Sequence, residues 1–424
     1  MPSSLLTILR SLSFGRDRRS NLRELPHQEW PRLLALTDRS QLTLPLAVRC
    51  LPELPGWVQE RLAGNLRNNA IRHDRVLQAY QQVARAFSSE GVDFIVLKGL
   101  AQWPGYCNDL RHRPQYDLDL YCPPQAIQPA FEVIQSLGYE PFGQKGRISV
   151  DHLPPMIRMT GWRPNGDYYD PEMPLTIELH FRFWDPATER FAVASDGGFW
   201  ERRVSRTIQG ISLPTLDPID GLSYTAWHLV RHLVRGDVRA YHVYELAHFL
   251  EQSAGNHAYW LNWRDRKSSG LVEAIAFRLA IDWFDCRVHP CVQELCQSLP
   301  ASVRRWFDLF ALSPLKALEH PNKDELFLHW CLVNGWRDRL RVAKARLFPV
   351  RFNPVIVDAH VPAPDWSLRL KRVVFGAWFM ARRAFHHART LLPVARNGVR
   401  WHRALAKQPR RISPSTLRSG NVPP

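Results

Sequence analysis

The sequence predicts an α+β fold: a small mixed β-sheet with flanking helices, followed by a helical domain and a basic helical tail. Three observations predict it. The apolar run Phe94 to Leu97 reads as a strand, and Asp117 to Tyr121 and Leu175 to Trp184 alternate in polarity with the two-residue period of strands. Apolar residues recur at helical spacing from Trp57 to Ser88 and again from Pro218 to Leu312. The charge is lopsided: of the net +16 on 424 residues, most lies beyond Trp366, where 13 Lys and Arg meet no Asp or Glu. A 45% apolar content with 16 Trp excludes a globally disordered chain. The expected divisions are an N-terminal helical leader (1–50), an α/β core (51–216), a helical domain (217–350), a Pro-rich linker (351–366) and a basic tail (367–424).

Residues 1–20 read as a frayed or weakly helical leader. Their apolar run, Leu5 to Leu9, is short and has no basic residue before it, unlike a signal peptide. The long helix from Trp57 to Ser88 stops near Gly91 and leads into the first strand. Lys98-Gly99 breaks that strand. The next one carries Asp117-Leu118-Asp119, so the two carboxylates share a face while Leu118 and Leu120 point back into a core. Neighbouring carboxylates repel unless a cation lies between them, and paired acids beside a basic Gly turn suggest Mg²⁺ and a phosphate ester.

Pro123-Pro124 ends the strand, and Gln125 to Leu137 reads as a helix closed by Gly138. A strand is expected at Met156 to Thr160. Another, Leu175 to Trp184, places Thr176, Glu178, His180 and Arg182 on one face and Ile177, Leu179, Phe181 and Phe183 on the other. If it pairs beside the Asp117 strand, Glu178 completes a three-carboxylate cluster.

Asp217-Pro218 opens the helical region. His228 and His232, four apart, share a helix face and read as a structural pair lining a cleft. The seven Cys are scattered without CxxC spacing, as in a reduced protein, and Cys286, His289, Cys291 and Cys296 match no usual zinc pattern. No run approaches the ~20 apolar residues of a membrane span. The expectation is a soluble cytoplasmic protein, with peripheral membrane attachment left open. The tail reads as helical from Leu368 to Lys407, broken near Pro393, with a composition of disorder beyond Gln408. Its Arg residues, interleaved with Phe379, Phe385 and Trp401, suit an anionic membrane surface, RNA phosphates, an acidic partner or plain solvent.

Leu97-Lys98-Gly99, then RPQYDLDLY from Arg113 to Tyr121, then IELHFRF from Ile177 to Phe183, resemble the uncharacterised nucleotidyltransferases of the polymerase-beta-like superfamily. The resemblance runs from about Leu51 to Pro290. It implies an enzyme that moves a nucleoside monophosphate from ATP or another nucleoside triphosphate to an unidentified acceptor (small molecule, protein or RNA), with Mg²⁺ or Mn²⁺ as cofactor. Asp117, Asp119 and Glu178 are the expected catalytic metal ligands. Lys98, Gly99, Arg113 and His180 are the expected nucleotide-side residues, Arg113 for the departing pyrophosphate or equally for a surface ion pair, and His180 to orient Glu178 or as an ordinary packed His. Glu245 stands where such proteins usually carry Asp on a second helix. The alternative is a catalytically silent relative that binds a nucleotide or partner in the same cleft.

Overall fold

A computed structural model describes residues 3–141, 151–193, 197–266, 270–347 and 366–406. The expected linker, up to residue 365, and the segment beyond Gln408 lie outside the described residues.

Three helices, α1 (Ser3–Ser11), α2 (Trp30–Ser40) and α3 (Thr43–Cys50), precede the long α4 (Gly56–Ser89). Helix α4 buries Val76, Tyr80, Val83 and Phe87 along one stripe. It ends at Gly91, whose φ of 65° lets the Val92 amide donate back to the Phe87 carbonyl at 2.8 Å. Seven strands follow: β1 (Ile95–Val96), β2 (Asp117–Tyr121), β3 (Glu140–Pro141), β4 (Met156–Ile157), β5 (Thr176–His180), β6 (Val204–Ile208) and β7 (Ile211–Thr215). They form one mixed sheet in the order β3-β4-β5-β2-β1-β7-β6. Strands β2 and β5 run parallel with Asp119 opposite Glu178, while β1 is antiparallel to β2 and parallel to β7.

Side-chain parity decides what each sheet face meets. Leu118, Leu120, Ile177 and Leu179 are fully buried against the α4 stripe and against Ala130 and Ile134 of α5 (Ile127–Ser136). The opposite face carries Asp117, Asp119, Glu178 and His180, and its Tyr121 belongs to a second core.

That second core is helical. After the short α6 (Pro186–Glu189) and the β6–β7 hairpin come α7 (Pro218–Arg235), α8 (Ala240–Ser253), α9 (His257–Arg266), α10 (Leu271–Phe284), α11 (Pro290–Gln297), α12 (Ala301–Phe310), α13 (Ser313–Lys316), α14 (Glu325–Leu332) and α15 (Trp336–Leu347). The Asp217 side chain caps α7 by accepting from the Ile219 amide, with Pro218 in the first turn, and Gly236 closes the helix at a φ of 77°. Helix α10 is nearly all apolar because α7 and α8 both pack on it.

The structure corrects the reading at four places. Strand β5 ends at His180 and does not run to Trp184. Phe183 leaves the sheet to stack on Tyr121 at 4.1 Å, and the Trp184 indole donates to the Phe191 carbonyl. The strand expected to reach Thr160 stops at Ile157, where its pairing with β3 and β5 ends. The leader is not frayed: Leu5, Ile8, Leu9 and Leu12 are buried, and the Phe14 amide donates to the Phe284 carbonyl at 2.7 Å. Its short apolar run is an inner face that finds its partner at the end of α10.

The tail is one helix, α16 (Trp366–Ala406), continuous through Pro393. A proline within a helix removes one backbone bond, yet packing fixes this helix on both sides of it. Thr390 is fully buried before Pro393, and Trp401 after it stacks on Phe327 with ring centroids 5.9 Å apart. The Asn397 amide donates to Asp324 at 2.8 Å. The second half of the tail is therefore part of the body. Trp401→Ala is expected to lower the unfolding free energy of the full chain by about 3–5 kcal/mol, the range for emptying a buried aromatic site. Denaturant unfolding reads this directly, and an unchanged midpoint would show that α16 contributes nothing to the core.

Candidate active site

The acid face of the sheet lies under a cavity of about 230 Å³, roofed by α7 and the start of α8. Its lining joins Lys98, Gly99, Asp117, Asp119, Glu178 and His180 from the sheet side to His228, Arg231, His232, Arg235, Arg239 and His242 from the helices. Two strands of matched parity and one turn thus bring the sequence-predicted acids and the Lys-Gly pair to one place.

The turn is built around Gly99. Its φ is 67°, and a Cβ there would lie 2.4 Å from the Gln115 side-chain nitrogen and 2.8 Å from the Tyr80 hydroxyl. Gln115 donates to the Asp117 carbonyl at 2.8 Å and to the Tyr80 oxygen at 3.2 Å, which ties β2, the turn and α4 together. Beside this turn, Lys98 reaches over the acid face. Its Nζ is 3.0 Å from an Asp119 oxygen and donates to His228 Nε2 at 3.0 Å. His180 Nε2 lies 3.2 Å from the same Asp119 oxygen and 3.6 Å from Glu178.

This arrangement separates the carboxylates electrostatically. Burial pushes Asp117 up, and Asp119 beside it adds to the effect, to about 6. Burial also opposes ionisation of Asp119, but Lys98 and His180 hold it well below the usual carboxylate range. Glu178 is likewise held low against burial by its hydrogen bond to His180. Burial disfavours a charged His180, yet Asp119 and Glu178 push its ring up to about 9.

Among the described residues, the group with ligand atoms close enough to share an ion is Asp119, Glu178 and His180, all within 4.8 Å of one another. Asp117 shares the cavity but stands outside that group. The carboxylate oxygens fit a divalent ion of the Mg²⁺ or Mn²⁺ kind, which takes oxygen ligands, while His180 lies within 3.2 Å of Asp119 and 3.6 Å of Glu178. Cys286, His289, Cys291 and Cys296 form no such group among the described residues. His289 instead caps α11 and lies 2.8 Å from His257.

The helical wall is basic and imidazole-rich. His228 and His232 approach to 3.1 Å between their Nε2 atoms, and the His242 ring is 5.3 Å from that of His228. Burial, helped by Lys98, keeps His228 well below its ordinary value, and burial lowers His232 and His242 as well. Arg231 is ion-paired with Asp151, and Arg235 with Glu189. Arg239, the residue before α8, is exposed at the cavity and forms no ion pair with a described residue. The sequence reading missed Asp151, Arg231, Arg239 and His242, which carry no motif and belong to the site only through the packing of α7 and α8.

Arg113 also lines the cavity, but its guanidinium is buried and engaged. Its Nε donates to Glu245 at 2.7 Å and a terminal nitrogen to Gln102 at 2.6 Å. Glu245 is thereby a tie between α8 and the segment entering β2. Tyr116 packs under the Arg72 guanidinium, and Tyr121 under Phe183.

A family model described as uncharacterised nucleotidyltransferase matches residues 26–285, a stretch that includes both walls of the cavity. No curated protein and no solved structure is detectably similar to the chain.

Removing one partner of a buried ion pair leaves an uncompensated charge, at a cost of about 3–5 kcal/mol. Glu245→Ala should therefore destabilise the fold by about that much in denaturant unfolding. Unchanged stability together with tighter nucleotide binding would mean instead that Arg113 is available to phosphate.

Proposed function

The chain belongs to the uncharacterised nucleotidyltransferase family, and on that premise we propose that it transfers a nucleoside monophosphate from a nucleoside triphosphate such as ATP to an acceptor hydroxyl, releasing pyrophosphate. The observation that supports this best is the in-register pairing of β2 with β5, which faces three carboxylates into a cavity whose other wall is cationic. The acceptor is a small molecule, a protein or an RNA.

Asp119 and Glu178, joined by Asp117 from the same cavity, would hold Mg²⁺ or Mn²⁺, with His180 hydrogen-bonded beside them. When bound, such an ion neutralises phosphate charge and polarises the phosphoryl oxygens. The chain's own residues do the remaining work. Gly99 lets the backbone come close to the triphosphate, and Lys98, already fixed by Asp119 and His228, offers a point charge to its oxygens. The acceptor oxygen forms a new bond to the α-phosphorus as the bond to the bridging oxygen breaks, and that electron pair leaves with pyrophosphate. The hydroxyl proton passes to Glu178, whose side chain is 24% exposed where that of Asp119 is 3%. His180 holds Glu178 in place. Arg239, exposed at the mouth, meets the β- and γ-phosphates.

The test uses triphosphate labelled at the α- or the γ-phosphate, with cell extract as the source of acceptor. Label should reach a product only from the α-position, and chelator should abolish it. Labelled nucleotide that binds but never transfers would place the chain with the silent, nucleotide-binding alternative. Asp117→Asn keeps the side-chain shape and should reduce transfer by about 10²–10³-fold or more while the melting profile persists. Arg239→Ala removes charge-assisted hydrogen bonds to phosphate, so KM for the triphosphate should rise by about 10- to 100-fold with kcat little changed. An unaltered KM would remove Arg239 from the phosphate site.

A further inference from the structure

Helix α16 turns one face to the body and leaves the other uncovered by any described residue. Thr390 and Trp401 are on the buried face. On the open face Trp378, Phe385, Leu392 and Val399 recur at every seventh residue and are 52%, 63%, 57% and 52% exposed. Ala381, Ala388 and Ala395 fill the row beside them and are also exposed. Val373, Val374 and Leu391 widen the stripe. Four residues after each large apolar side chain comes an arginine: Arg382, Arg389, Arg396 and Arg403. The first two guanidiniums lie over the Trp378 and Phe385 rings, at 5.3 and 5.6 Å from their centroids.

A second feature borders this stripe. Arg396, Arg400 and Arg403 of α16 and Arg305 of α12 line a groove of about 430 Å³ that also contains Val399. Buried Arg305 Nε has no hydrogen-bond partner among the described residues, while its Nη1 lies 3.6 Å from Asp308. Cations thus project from the body as well as from the helix, next to an apolar strip about 40 Å long at about 1.5 Å per residue.

We propose that this face docks on an anionic lipid bilayer, with α16 lying in the plane of the interface and the four-arginine groove receiving lipid phosphates. The chemistry selects this partner over others. Nucleic acid would match the arginines but leave the exposed Phe385, Leu392 and Val399 without a counterpart. A second copy of this chain would set rows of arginine against each other, with no acid among residues 367–424 to offset them. A single acidic helix would cover a narrow seam, whereas this apolar face is broad and its cations continue onto α12. A bilayer offers a wide apolar layer under a sheet of phosphates, which suits aromatic residues beside arginines. No described helix is long and apolar enough to cross a membrane, so α16 meets it from the side.

The experiment is co-sedimentation of the full chain with vesicles of phosphatidylcholine alone and of an equal mixture of phosphatidylcholine and phosphatidylglycerol, at about 0.05 and about 0.5 M salt. The chain should bind the mixed vesicles at low salt, bind them more weakly at high salt, and stay off the neutral ones. Two altered chains separate the contributions, and both change exposed side chains, with unfolding curves as the check on folding. Phe385→Glu with Leu392→Glu should weaken binding by at least tenfold. Arg396→Gln with Arg403→Gln should weaken it about 25-fold, from about fivefold per arginine. Equal binding to both vesicle types, or failure to bind either, overturns the proposal. So does binding to poly(U) that is tighter than to the mixed vesicles and indifferent to Phe385→Glu, which assigns the face to RNA. Light scattering that shows a dimer dissolved by Phe385→Glu assigns it to a second copy.

Discussion

The site depends on one constraint, the in-register parallel pairing of β2 with β5. A slip of β5 by one residue against β2 would turn Ile177 and Leu179 into the cavity and drive Glu178 into the core beneath α4. The apolar side of these strands therefore fixes the polar side. Burial of four aliphatic residues against α4 and α5 holds Asp119 beside Glu178, an arrangement that charge repulsion alone would disperse. Lys98 and His180 relieve part of that repulsion, and Gly99 is what allows the chain to turn so closely against Gln115 and Tyr80. Sheet, turn and acids are one unit in which no part is optional.

Much of this unit was legible because it is local. Alternation reports face parity, so Asp117, Asp119, Glu178 and His180 could be assigned to one face before any pairing was known. The long helix α4 and the cap at Asp217-Pro218 are also local signals. What escaped is non-local. The partner of Arg113 lies 132 residues away, and that of Arg231 lies 80 away, with no spacing rule to connect either pair. Arg239 is an unremarkable arginine until α8 folds beside the cavity. The apolar run in α1 looked too short to matter because its value lies in the surface it covers on α10. Pro393 looked like a break because propensity was weighed without the packing at Thr390 and Trp401.

Helix α16 shows how composition can conceal two roles. Its basic character describes one flank, while its buried face behaves like any core helix, with Trp401 between Phe310 and Phe327. A single count of charges could not separate these faces. Helical spacing does, because residues seven apart return to nearly the same side.

Two ion pairs cross from the sheet side of the cavity to its helical side: Arg113 with Glu245, and Arg231 with Asp151. All four groups are buried. Moving one wall against the other would have to break both of these buried pairs. The two sides of the cavity are thus held at one separation by residues outside the acid cluster. The ties that give the cleft its shape also set its width.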